Sequence, residues 1–182
     1  VDVLFPYYGD VDLMKSAVLS VLTQTYTDFR LIVIDDGYPD DSIPGWFESL
    51  GDERVSYERN ETNLGANGNY RKAVGKVTND LAVMMGADDI MLPNYLQWLV
   101  DAAEAHPDAD IFQPGVVVIN ENGAQVHGLT EKIKDVYRPG GSGQRILTGE
   151  QLAASLLRGN WLYFPSLGWR ASAMKDIGFR TG

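Results

Sequence analysis

A chain of 182 residues with 45% hydrophobic side chains has enough apolar material for one substantial core, and its formal charge of −10 argues against nucleic acid or an anionic lipid surface as a partner. No run approaches the roughly 20 apolar residues of a membrane helix. The absence of cysteine removes disulfide and thiolate-metal scaffolds, which suits a reducing, cytoplasmic compartment.

In chain order, Val1 to Pro6 is a short apolar run stopped by proline and is predicted as a buried strand. Asp12 is placed to cap a helix whose apolar stripe is Met14, Ala17, Val18, Val21 and Leu22. Leu31-Ile32-Val33-Ile34 reads as a strand covered on both faces, and Arg54 to Tyr57 as a third short one. A helix is expected from about Ala66 to Lys76, then a strand from Leu81 to Met85. Pro93 suits the first position of a further helix with Leu96, Leu99, Val100 and Ala103 facing inward. Ile111 to Ile119 is strand-like, and Asn120-Glu121-Asn122-Gly123 has the chemistry to reverse it into a hairpin. Arg138 to Gln144 has the glycine and proline content of a mobile loop, and Thr148 to Leu157 reads as one more helix.

Strands alternating with helices predict an α/β fold, a mostly parallel central sheet with helices on both faces. Such sheets bind ligands beyond the carboxyl ends of their strands. Three strand ends carry notable groups: Phe5-Pro6-Tyr7-Tyr8, Asp35-Asp36-Gly37, and Gly86-Ala87-Asp88-Asp89. Adjacent carboxylates repel unless a cation or donor compensates them, so Asp88 and Asp89 suit a hard-oxygen site for Mg²⁺ or Mn²⁺. Either could instead cap the helix that follows. Asp35-Asp36-Gly37 is also an ordinary turn sequence, yet a carboxylate there could accept hydrogen bonds from a nucleobase or ribose. Tyr7 and Tyr8 read as core or rim aromatics, one of which could stack on a base. Asn63 to Arg71 is an amide- and glycine-rich loop entering a helix, with Asn67 and Arg71 as possible donors to base or phosphate.

The blocks Ser20-Val21-Leu22-Thr23-Gln24-Thr25-Tyr26, Ile32-Val33-Ile34-Asp35-Asp36-Gly37, Asn63-x-Gly65 and Ala87-Asp88-Asp89, with Pro93 four residues on, resemble glycosyltransferase family 2 in order and spacing. The resemblance is strong to about residue 100 and weaker beyond. It implies a nucleotide-diphospho-sugar transferase (Rossmann-like) fold and an inverting transfer from a sugar nucleotide, UDP-linked first among them, to a glycan or glycolipid acceptor of the cell envelope. It further implies one domain over residues 1–182, a nucleotide-binding half to about residue 110 and a sugar- and acceptor-side half from about 111, with possible peripheral association at the inner face of the plasma membrane. Pro6 and Tyr8 match the family's base-contacting strand end, Asp36 its base-binding carboxylate, Asp88 the residue reaching the ribose and Asp89 the metal ligand. Arg71 falls in the segment that lines the base pocket.

Two departures stand out. The family's commonest acidic motif opens with a further aspartate where this chain has Gly86. Its catalytic base follows a Gly-Phe segment like Gly178-Phe179, so the base is expected C-terminal to Gly182. Asn160 to Arg170 is aromatic-rich, as a sugar-contacting region would be, or as a core strand would be. The competing reading is a non-catalytic nucleotide-sugar-binding module. A nucleotidyltransferase is disfavoured because Tyr7-Tyr8-Gly9-Asp10 has no basic residue before Lys15.

Overall fold

The computed structural model describes residues 1–120, 123–126, 128, 134, 136 and 143–179. It divides into two compact units, one of Val1–Phe112 with the segment from Pro165 onward, the other of Gln113–Phe164.

The first unit holds a sheet built from β1 (Asp2–Tyr7), β2 (Arg30–Asp35), β3 (Val55–Arg59), β4 (Leu81–Met84), β5 (Ile111–Phe112) and β6 (Gly168–Arg170). Among the described residues the order is β3-β2-β1-β4-β6-β5. The first four run parallel, and β6 lies antiparallel to both β4 and β5. Helices α1 (Val11–Leu22), α2 (Ser42–Leu50), α3 (Gly65–Val74), α4 (Tyr95–Ala105) and, after β6, a helix Ala171–Ile177 complete the unit.

Alternation along the strands explains why both faces are covered. Val3, Phe5 and Tyr7 of β1 point to one side with Leu31, Val33 and Val83, under Met14, Ala17, Val18 and Val21 of α1, Phe47 of α2 and Leu96 and Leu99 of α4. Leu4, Ile32, Ile34, Ala82 and Met84 point to the other, under Ala73 and Val74 of α3 and Ala171 and Met174.

Several local expectations are corrected. Asp10, not Asp12, caps α1, its Oδ1 accepting from the backbone N–H groups of Asp12 and Leu13 at 2.9 Å. The fourth helix begins at Tyr95 rather than Pro93. α2 was not anticipated, although Ile43 and Phe47, four residues apart, are its buried face. Strand pairing from Ile111 stops at Phe112 because Pro114 brings no N–H to a ladder.

In the second unit a helix, α5 (Gly149–Arg158), follows Thr148, and the helix Ala171–Ile177 of the first unit is therefore α6. Ile119 bridges Gln125 in antiparallel fashion around the expected reversal, of which residues 121 and 122 lie outside the described set. Most of the expected loop at 138–144 also lies outside it. Lys134 donates to the Leu162 carbonyl at 3.1 Å and sits over the Tyr163 ring. Among the described residues no helix is long and apolar enough to cross a membrane.

Candidate functional site

The chain winds from β1 through β2 to β3 in one direction and then crosses to β4 on the other side of β1. The change of direction falls between β1 and β4, where a doubly wound sheet opens a crevice at its carboxyl edge. Register shows where the opening starts. The last β1–β4 pair is Leu4↔Met84, whereas β1 stays paired with β2 as far as Tyr7↔Asp35. Leu4 directs its backbone toward β4, its carbonyl accepting from Met85, so Pro6, two residues on, faces the same side. Its missing N–H therefore falls where β4 has already turned away, and no rung is lost.

Tyr7 and Tyr8 take opposite roles. Tyr7 is wholly buried, and its hydroxyl donates to the Gly9 carbonyl at 2.7 Å. Tyr8 is 55% exposed and meets the Tyr38 ring edge-on at 5.2 Å. Tyr38 is a rim aromatic that the sequence did not single out.

The two carboxylates ending β2 also separate. Asp35 is saturated, its Oδ1 accepting from Tyr38 N at 2.8 Å and its Oδ2 from the Tyr57 hydroxyl at 2.6 Å, with Arg59 Nε 3.7 Å away. Asp35 is thus a brace for the β2–β3 edge. Asp36 is 2% exposed, and its Oδ1 accepts from Asn60 Nδ2 and Leu64 N, both at 2.8 Å. Its Oδ2 has no hydrogen-bond partner among the described residues. An acceptor held rigidly with one open oxygen is suited to a single N–H donor of a ligand.

Of the expected helix residues, Asn67 and Arg71 are exposed one turn apart on α3, side by side but outside the network around Asp36. The α3 residues that do join it are Asn69, 3% exposed, and Lys72. Asn63 serves the loop, its Oδ1 accepting from Gly65 N at 2.8 Å.

Beyond β4, a hydrogen bond from Asp89 N to the Gly86 carbonyl at 3.3 Å closes a tight turn over residues 86–89. The turn folds both carboxylates back on Gly86: a Cβ there would overlap Asp89 Oδ2 and stand 3.3 Å from Asp88 Oδ1. A side chain at 86 would therefore require the Asp89 carboxylate to shift. α4 has no side-chain cap, so neither carboxylate serves as one. Burial, and then the neighbouring charge of Asp88, raises the Asp89 pKa above the ordinary carboxylate value. Two converging hard oxygens with uncompensated charge fit a divalent cation that completes its shell with phosphate and water. Among the described residues no group of three or more His, Cys, Asp or Glu gathers.

The same charges reach α3. Burial, then Asp88 and Asp89, push the Tyr70 phenol upward, and the Tyr70 ring lies 5.1 Å from that of Phe179. The Gly178-Phe179 segment thus packs against Tyr70 of α3.

The family model for glycosyl transferase family 2 matches residues 2–164 of the chain. A glycosyltransferase described as uncharacterized, MJ1057 of Methanocaldococcus jannaschii, is 30% identical over 112 residues, 60% of this chain and 39% of that protein. The UDP-Glc:alpha-D-GlcNAc-diphosphoundecaprenol beta-1,3-glucosyltransferase WfgD of Escherichia coli is 29% identical over 97 residues, 53% of this chain and 38% of that one. The chain thus spans about two-fifths of the length of these relatives. Among solved structures, the mannosyltransferase PcManGT from Pyrobaculum calidifontis, in complex with GDP-Man and Mn²⁺, superposes with a TM-score of 0.69 at 14% identity, covering 99% of this chain and 47% of that one. That likeness establishes the fold as the nucleotide-diphospho-sugar transferase type.

Proposed function

We propose, from the premise that this chain belongs to glycosyl transferase family 2, that it grips a nucleotide-diphospho-sugar, UDP-linked by preference, and passes the sugar to an acceptor hydroxyl with inversion. The observation that supports this reading is that Tyr8, Asp36 and the Asp88–Asp89 pair each follow the carboxyl end of a strand, β1, β2 and β4, in one parallel sheet. Asp36 accepts from the base, Tyr8 stacks on it, and Pro6 floors the opening between β1 and β4. Asp88 reaches the ribose, and Asn67 and Arg71 offer donors from α3. Asp88 and Asp89 would hold Mn²⁺ or Mg²⁺, Asp89 as the principal ligand, and the bound ion would supply an electrostatic clamp for the diphosphate leaving group. The Mn²⁺ in the PcManGT complex and the UDP-linked donor in the name of WfgD support this assignment.

The acceptor proton requires a carboxylate within hydrogen-bond reach. We assign that role to an Asp or Glu following Gly178-Phe179, a segment whose contact with Tyr70 of α3 supports the reading. The acceptor class is a glycan or glycolipid of the cell envelope, in keeping with the lipid-diphosphate substrate in the name of WfgD. The reaction then takes place at the cytoplasmic face of the membrane.

A panel of sugar nucleotides with Mn²⁺, scored by thermal shift, tests the reading. The matched donor at about 100 times its Kd stabilises the fold by about 2.7 kcal/mol, and EDTA abolishes the shift. No response to any donor would overturn the nucleotide assignment, and a response indifferent to EDTA would overturn the metal. Binding without transfer by the full-length protein, across a panel of lipid and glycan acceptors, would favour the non-catalytic module.

A further inference from the structure

We propose that Asn60, oriented by Lys72, is the positioning residue that presents Asp36 to the nucleobase. This rests on the reading of Asp36 given above and adds residues that reading does not require.

Asn60 follows β3, is 7% exposed, and has every polar atom of its side chain engaged. Its Nδ2 donates to Asp36 Oδ1 at 2.8 Å and to Asn69 Oδ1 at 3.2 Å, while its Oδ1 accepts from Lys72 Nζ at 2.6 Å. The order of donors and acceptors is fixed throughout. An ammonium only donates, so the amide oxygen must face Lys72 and the amide nitrogen must face the carboxylate. Asn69 is locked in the same sense, since its Nδ2 donates to the Ile34 carbonyl at 2.8 Å. Lys72 is itself held by Glu58 at 2.6 Å. A directed chain thus runs from cation through amide to carboxylate, and bonds of this kind polarise one another in a low-dielectric interior. With Leu64 N as its second donor, Asp36 Oδ1 is saturated and the carboxylate cannot swing, which leaves Oδ2 as the oxygen offered to a ligand.

The test is calorimetry with Mn²⁺ present, using the tighter-binding of UDP and GDP as one probe and inorganic pyrophosphate as the other. Lys72→Met should weaken the nucleotide about five- to tenfold, the size of effect expected for coupled neighbours. Pyrophosphate, which has no base, should bind unchanged. Lys72→Arg should restore nucleotide binding, and Asn60→Asp, which turns both amide donors into acceptors, should weaken it further than Lys72→Met. In an Asp36→Ala background Lys72→Met should add nothing. Equal losses for both probes, or a full additional loss in the Asp36→Ala background, would overturn the positioning role. If Asp36→Ala alone leaves nucleotide affinity unchanged while the fold is intact, the base-binding assignment fails, and the positioning role fails with it.

Discussion

Asp89 illustrates how an unfavourable residue marks a site. Its pKa is raised by burial and by Asp88, so the native state holds its proton more tightly than the unfolded chain does. A carboxyl with a raised folded-state pKa contributes less to stability as pH rises through that value. Asp89→Asn should therefore raise the melting temperature of the metal-free protein at neutral pH, with a gain that shrinks as pH falls toward the carboxylate range. The same change should abolish the Mn²⁺ dependence of nucleotide binding; melting curves over a pH series and calorimetry with EDTA check the two halves. Gly86→Ala acts on the same group from below. The added methyl must displace the Asp89 carboxylate, and cation-dependent affinity should fall about tenfold, as when support for a ligand is lost. An unchanged affinity would mean that Asp89 has other orientations available.

At the level of elements, the antiparallel strand β6 depends on a close approach. Gly168 packs against Leu99 of α4 so tightly that a Cβ would overlap the Leu99 Cδ1 and stand 3.1 Å from its Cγ. Leu99 is fully buried and its neighbours leave it little room to move. Gly168→Ala should cost about 1–3 kcal/mol by overpacking, seen as a lower urea midpoint with an unchanged slope.

For the whole first unit, the edge opposite the crevice is closed by one buried carboxylate. Asp2 is 0% exposed and accepts from Thr78 N at 2.7 Å, Asn79 N at 2.9 Å, Asn79 Nδ2 at 2.6 Å and Arg30 Nε at 2.9 Å. It ties the start of β1 to β2 and to the turn entering β4. Burial works against the charge, but these bonds outweigh it and hold the carboxyl below its usual range. A depressed folded-state pKa contributes stability that is present above the unfolded value and lost as pH falls through the folded one. Asp2→Ala should cost about 2–4 kcal/mol at neutral pH, since buried donors are left unpaired. The difference from the parent protein should narrow in acid, as denaturant titrations at descending pH would show.

The sequence by itself determined what depends on near neighbours. Leu31 to Ile34 is apolar on both faces and could only be an inner strand, and Met14, Ala17, Val18 and Val21 share one helical stripe wherever the helix docks. The acidic pairs were legible as strand ends because each follows an apolar run directly. What the sequence could not decide is which groups would be spent on the fold. Asp35 and Asp36 read alike, yet Tyr57 and Arg59 consume the first while Asn60 and Leu64 leave the second half open. Asn60 and Lys72 looked like ordinary polar residues until α3 and the end of β3 were brought together, and β6 found its partners 56 residues or more away in sequence. Periodicity and capping act over a few residues of chain, whereas the pairing of a buried polar atom is settled by whichever distant segment packs against it. Only the tertiary structure supplies that segment.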